Sequence, residues 1–319
     1  MGRPAMPPRF PRHQRGVALI TAVLIVALAT ILAINVTFSG MLDQRRSASL
    51  FAFDQGYEVA LGAEAWAADI LKKDAQESQQ DTLAEAWAQA LPPLPIDDNV
   101  GTIEGRLEDM QGRFNLNMLV NTDGTPNTVT IPQFEKLLQL AGLEPTWASM
   151  IVDWIDDNAE PGFPDGAEDS TYMGEDPPHL AANMPITRAS ELLTLPGFGI
   201  ERYRKIAPYI TALPIPSKIN PCTASGIVLD SMLNELNFSL MDLKDLANRR
   251  KDGCFPTQQE FEQSQLSNQE FKKSLSVQSS YFRATIWVTI GTTQFTLYSL
   301  LNRGGGGVVR PVLRSFGAE

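Results

Sequence analysis

Val17 to Phe38 is a run of 22 residues without a single charge, preceded by Arg3, Arg9, Arg12 and Arg15. As a helix rising 1.5 Å per residue it reaches about 33 Å, enough to span a bilayer. A secretory signal has a shorter apolar core followed by a small-x-small cleavage site. Here the run is too long, and no convincing site follows it. Basic residues stay on the cytoplasmic side, so the expected topology is a single pass with everything after Phe38 outside. Arg45 and Arg46 weaken that asymmetry, although Asp43 stands beside them.

The helical pattern does not stop at the membrane. From Met41 to Lys73 there is no proline, and Phe53, Gly56, Ala60, Ala63, Ala67 and Ile70 recur at three- and four-residue spacing. A helix from Val17 to about Lys73 would be roughly 85 Å long, half in lipid and half packing a small-residue face on a domain. That is an odd shape for a plain anchor. A short basic leader ending in Gly16, then an uncharged helix beginning "VALITAVLIVALA", resembles the class III signal of type IV pilins and type II secretion pseudopilins. The resemblance implies cleavage after Gly16 by a prepilin peptidase, on the cytoplasmic side of the apolar core, and N-methylation of the new terminus, Val17.

Most members of that family place a glutamate five residues into the mature chain; here Thr21 stands there. A carboxylate in lipid is costly unless paired, so a subunit with no neighbour above it gains by losing it. The absence resembles the K-type minor pseudopilins (the GspK/XcpX family), proposed to cap the pseudopilus tip. The simpler reading is a threonine tolerated in an ordinary anchor.

Trp66 and Trp87 flank a polar stretch expected to be helical up to "LPPLP". Ile103, Gly105, Leu107 and Asp109 then alternate with polar neighbours, which predicts a strand. After Asn121 the chain reads as helices: "IPQFEKLLQLAGL", "PTWASMIVDWIDDN", "ITRASELLTL", "IERYRKIAPYITAL", "ASGIVLDSMLNEL" and "LMDLKDLANRRK". Strands return in "YFRATIWVTIG" and "QFTLYSLLNR" across a short "GTT" connection, and "GGGGVVRPVLRSF" supplies a possible third. The economical architecture pairs the early strand with the late ones into one antiparallel sheet packed on the N-terminal helix. The class is α+β, pilin-like, with a large α-helical insertion. Expected boundaries are a leader at 1–16, a transmembrane part at 17–38, helix and first strand at 39–114, the insert at 115–274 and the last strands at 275–319. "GRFNLN", "VDWIDDN", "GAEDSTY" and "INPCTA" also resemble K-family segments, in order, over most of the mature chain.

Composition excludes several chemistries. Only His13 and His179 are present, so a Ser-His-Asp triad or a Cys/His zinc site would rest on His179 alone. The net charge is −11, and loss of the four leader arginines would take it to −15. Such a surface suits divalent cations better than nucleic acid or anionic lipid. Cys222 and Cys254 can form a disulfide if the chain is exported, with a contribution of roughly 3–4 kcal/mol; otherwise they are two buried thiols.

Nine carboxylates lie between Asp153 and Asp176 with no Lys or Arg among them: Asp153, Asp156, Asp157, Glu160, Asp165, Glu168, Asp169, Glu175 and Asp176. A helix would put Asp153, Asp156 and Asp157 on one face, where like charges repel. Trp154, Ile155, Phe163 and Tyr172 make the run too apolar for a freely solvated acidic loop, the usual fate of such a stretch. Calcium, which takes six to eight oxygens, resolves the conflict. The spacing is not that of an EF-hand, since Pro161 and Ala167 fall where its glycine and glutamate belong. Paired carboxylates also serve glycosidases, but nothing else suggests a sugar cleft. K-family pseudopilins bind calcium, and the resemblance of "GAEDSTY" to their metal loop implies Ca²⁺ ligands among Asp156, Asp157, Glu168 and Asp169, with Asp153 and Asp176 in addition.

"ELLTLPGFGIERYRKI" resembles a helix-hairpin-helix around Leu195–Gly199. With Arg202, Arg204 and Lys205 it supports a rival, a membrane-anchored DNA receptor, against which the acidic charge stands. The K-type resemblance implies a non-catalytic structural subunit in the inner membrane with its globular part in the periplasm. Its implied partners are minor pseudopilins I and J (GspI and GspJ), through them H and the major pseudopilin G, and the prepilin peptidase. Secreted substrates and the outer-membrane secretin are further candidates, and nucleic acid is not expected.

Overall fold

Two kinds of periodicity build this chain, and the computed structural model describes them over residues 14–96, 101–232, 243–251, 253–255 and 274–317. Arg3, Arg9, Arg12 and His13 of the expected leader, and parts of the last two expected helices, lie outside the described residues. The helices are α1 (Gln14–Glu77), α2 (Thr130–Leu140), α3 (Trp147–Ile155), α4 (Asp169–Tyr172), α5 (Gly199–Ile206), α6 (Gly226–Met232) and α7 (Leu243–Arg249). The strands are β1 (Leu91–Ile96), β2 (Gly101–Asp109), β3 (Phe114–Asn115), β4 (Ile210–Thr211), β5 (Tyr281–Ile290), β6 (Thr293–Arg303) and β7 (Val309–Phe316).

Residues up to Gln55 form one unit and residues from Gly56 another. In the first, the apolar run of α1 is exposed throughout, and its most apolar 18-residue window has a mean hydropathy of 3.0. The hydroxyls of its threonines are satisfied within the helix. Thr30 and Thr37 each donate a 2.8 Å hydrogen bond to the carbonyl four residues back, Val26 and Ala33. A hydroxyl handled this way carries no unmet donor into hydrocarbon.

In the second unit the sheet runs β1-β2-β5-β6-β7, antiparallel throughout. The early strand pairs with the late ones as its alternation requires, Gly101↔Ile290 to Asp109↔Phe282. The small-residue stripe of α1 faces this sheet. Ala60 and Leu71 are fully buried, and a Cβ on Gly56 would sit 3.4 Å from Phe295. Tyr57 stacks on Phe316 at 5.4 Å, and buried Glu64 takes Arg314 in a two-pronged pair at 2.6 and 2.8 Å.

Two expectations fail at the edge of this sheet. The helix stops at Glu77, and of the polar stretch before Trp87 only the single turn Ala86–Ala88 is helical. "LPPLPI" is strand β1 instead. Proline donates no ladder hydrogen bond and is tolerated on an edge strand, where it also blocks further pairing.

Between β2 and β5 lies the helical block, with its own core of Phe114, Phe134, Ile151, Tyr172, Leu192 and Phe198 among others. "ITAL" is not helical: Ile210 and Thr211 form β4, parallel to β3. "ASELLT" is a 3₁₀ helix, Ala189–Thr194. Cys222 and Cys254 form a disulfide, 32 residues apart with Cα atoms 4.5 Å from each other. Where the block leaves the sheet, Asp109 accepts hydrogen bonds from Asn220, Thr223, Ser279 and the Gln111 amide. Burial outweighs these donors and raises its carboxyl to about 6.

Candidate metal centre

Helix α3 delivers the acidic stretch into the core and ends inside it. Its C-cap, Asp156, is already extended at φ −69°, ψ 166°, so Asp156 and Asp157 do not share the helical face of Asp153. Leaving the helix takes them off one face, yet Asp153 and Asp157 still repel Asp156 and raise its carboxyl. Asp153 and Asp156 are each 2% exposed, and Glu168, from the far side of the loop, is 3% exposed.

The loop is shaped around Asp153. Its Oδ2 accepts the Gly162 amide at 2.9 Å, and Gly166 donates to the Gly162 carbonyl at 2.7 Å. A Cβ on Gly162 would stand 2.8 Å from Asp153 Oδ1, and one on Gly166 would run into Asp153 Oδ2 and the Gly162 backbone. Glycine is required at both places by close approach. Behind the loop, Trp154 packs on Tyr172 at 5.1 Å and Tyr172 on His179 at 5.3 Å, closing the site with aromatic surface.

Three buried carboxylates without a counter-cation are electrostatically expensive. Asp156 Oδ1 and both Glu168 oxygens are buried with no hydrogen-bond donor. Burial first, then repulsion from Asp153, pushes Asp156 up to about 6 and Glu168 up to about 7. Asp153 is raised by burial as well. Carboxylate oxygens that are orphaned, mutually repelling and backed by aromatic rings fit a hard cation, the chemistry of oxygen-rich calcium sites.

The other expected ligands lie differently. Asp169 opens α4, accepts the Ala181 amide at 3.0 Å and raises Glu168 electrostatically. Asp157 is exposed and lies against Gly124, whose Cβ would be 2.6 Å from its Oδ1. Asp176 is exposed. Asp153, Asp156 and Glu168 are thus gathered with Asp169 beside them, while Asp157 and Asp176 are not. No three acids of this loop bring oxygens within 4.8 Å of one another; among the described residues the set that does is Asp74, Asp81 and Glu85. That set is held by hydrogen-bond donors. Arg303 pairs with Asp74 at 2.9 Å and with Asp81, while Glu85 accepts Trp87 Nε1 and the Thr82 amide.

Sequence reasoning missed this second cluster because its members come from α1, the following loop and β6. It also passed over the structural role of the asparagines. Asn115 bonds Leu213 and Ser217, and Asn117 bonds Ile186 and Leu213, so "NLN" fastens two distant loops. Their burial is signalled only by their place in an otherwise apolar stretch.

In the hairpin, Gly197 and Gly199 take the positive φ values that such a turn needs, 72° and 68°. Arg202 is occupied locally, donating to the Gly197 and Phe198 carbonyls and lying 5.3 Å over Trp147. Arg204 pairs with Glu201. At the other end of the chain, Thr21 Oγ1 donates to the Val17 and Ala18 carbonyls at 3.1 and 3.0 Å.

A long N-terminal helix on an antiparallel sheet, with a helical block between the second strand and the last three, defines a pilin-like α+β protein whose apolar helix suits a membrane anchor. A family profile described as type II secretion system (T2SS), protein K, matches residues 112–215. The type II secretion system protein K of Pseudomonas aeruginosa is 33% identical over 319 residues, covering 96% of this chain and 94% of the relative. The protein of the same name from Klebsiella pneumoniae is 31% identical, covering 92% and 94%. A chain in the crystal structure of the GspK-GspI-GspJ complex from enterotoxigenic Escherichia coli shares the fold, with a TM-score of 0.73 at 24% identity over 86% of this chain and 100% of that one. The chain belongs to the type II secretion system protein K family.

Proposed function

We propose that this chain is a structural, non-catalytic minor pseudopilin at the tip of the periplasmic pseudopilus, supporting export of folded proteins across the outer membrane. Cleavage after Gly16 leaves Val17 as the methylated terminus and keeps α1 in the inner membrane. The globular part then stands in the periplasm, with 115–274 as the helical insert. The observation that carries the tip assignment is Thr21, whose hydroxyl is satisfied inside its own helix. A carboxylate there would need a neighbour's amine, and a terminal subunit has no such neighbour.

Calcium is the natural ligand of the insert, held by Asp153, Asp156, Glu168 and Asp169. The cation would neutralise the buried charge and fix the glycine-rich loop. The family match and the GspK-GspI-GspJ fold likeness support I- and J-type pseudopilins as direct partners, with H and G below them. Co-purification of the full-length chain with I and J subunits in calcium-containing detergent buffer tests this. A stable complex of the three is expected, and separate elution would reject it.

A further inference from the structure

The sheet has two faces. One packs on α1 through Arg303, Arg314 and Phe316; the alternate residues Arg283, Leu300 and Leu313, aligned across β5, β6 and β7, point the other way. The insert covers that second face incompletely and leaves a cavity of about 320 Å³, near the lower end of small-molecule pocket volumes of ~300–1,000 Å³. Its lining includes Arg113, Arg188 and Arg283, the rings of Tyr203 and Tyr298, and no Asp or Glu. In a chain of net charge −11 this is a local reversal of sign.

The reversal extends behind the wall. Glu108 is shared by three guanidiniums, those of Arg283 at 2.6 Å, Arg113 at 3.2 Å and Arg106 at 3.4 Å. Burial and then the neighbouring Arg283 depress Arg113, although Glu108 opposes them. Arg188 lines the same space and, among the described residues, makes no ion pair. Arginine's fixed fork of donors is matched by a carboxylate. Met110, Ile210 and Leu300 supply apolar surface beside it.

We propose that this cavity is a binding site for a carboxylate joined to an apolar group, with Arg188 and Arg113 receiving the anion and the tyrosine rings packing the apolar part. The ligand arrives either as an acidic side chain in a polypeptide segment or as a free amphiphilic acid; the recognition chemistry is the same.

The test is calorimetric titration of the full-length chain in detergent with two probes: 4-phenylbutyrate and a blocked leucine-glutamate-phenylalanine tripeptide. The uncharged 4-phenylbutanol is the control, and subtraction of each probe's titration into detergent buffer without protein removes partition into micelles. Saturable binding of at least one acidic probe is expected, weakened about tenfold in Arg188→Gln, with none for the alcohol. Tighter binding of the tripeptide identifies a polypeptide source, and tighter binding of phenylbutyrate a free acid. Arg113→Gln is a poor first variant because that side chain also holds Glu108 and the Ala207 carbonyl. Tyr298→Ala, which removes the ring, serves as the second variant and lowers affinity for the same probe. Superimposed titrations of wild type and Arg188→Gln overturn the proposal.

Discussion

Arg303, near the end of β6, bridges two acids that sequence separates from it by more than 220 residues, pairing with Asp81 and reaching Asp74 at 2.9 Å. This contact closes α1, the loop after it and the sheet upon one another. Asp81 is 1% exposed, and its second oxygen has no hydrogen-bond donor. Three carboxylates with one guanidinium leave an excess of negative charge at the joint.

The excess makes the joint sensitive to pH. Burial first, then Glu85 and Asp81, raise the Asp74 carboxyl from 3.8 to about 7, with Arg303 opposing. The folded state therefore holds this proton more tightly than the unfolded chain. The stability it contributes is complete below the unfolded value and is lost as pH rises through about 7. Thermal midpoints in calcium-free buffer should fall by several degrees between about pH 5 and pH 8. Asp74→Asn, which needs no proton, should make that fall smaller, with Asp109, Asp156 and Glu168 supplying the remainder; an unchanged profile would show that Asp74 does not contribute.

The acidic loop gives a prediction with the opposite pH sign. Calcium must displace the protons that Asp156 and Glu168 retain up to about 6 and 7, so its apparent affinity should rise with pH across that window. Saturation about a hundredfold above Kd should add roughly 2.7 kcal/mol to stability. Chelation should expose residues 153–176 to protease, and Glu168→Gln should remove the difference. Equal cleavage with and without EDTA in the unaltered chain would reject the metal.

Gly166→Ala probes the same loop sterically. Its Cβ would meet Asp153 Oδ2 and the Gly162 backbone, neither of which is a flexible tip. Overpacking of this kind costs about 1–3 kcal/mol, and it should weaken calcium binding although no ligand is altered. Urea unfolding with and without calcium measures both effects.

At the N-terminus, replacing Gly16 should leave the leader attached, seen as the unprocessed mass of the membrane-bound chain. Thr21→Glu should be processed normally yet enter the pseudopilus poorly. An unpartnered carboxylate costs up to about 2.5–3.5 kcal/mol on insertion scales, the value at the helix centre, and a terminal subunit has no amine to offset it. Normal secretion by Thr21→Glu would remove the meaning attached to the threonine.

Strong local signals were readable in the sequence. The uncharged run, the alternation from Ile103 to Asp109 and the matching late strands each repeat one period long enough to be unambiguous. β1 was missed because three prolines in "LPPLPI" argue against a strand unless its place at the sheet edge is known. The helical reading of Asp156 failed because periodicity does not show where α3 ends. The joint of Asp74, Asp81 and Arg303, and the cavity of Arg113, Arg188 and Arg283, are assembled from distant segments. Only the tertiary fold brings those charges together.

The tip position itself is tested most directly by locating the chain on overproduced pseudopili with an electron-dense label on an exposed residue of the insert. Label at one end of each fibre, one copy per fibre, is the expected result. Label distributed along the fibres would contradict the assignment and make this chain a subunit of the shaft.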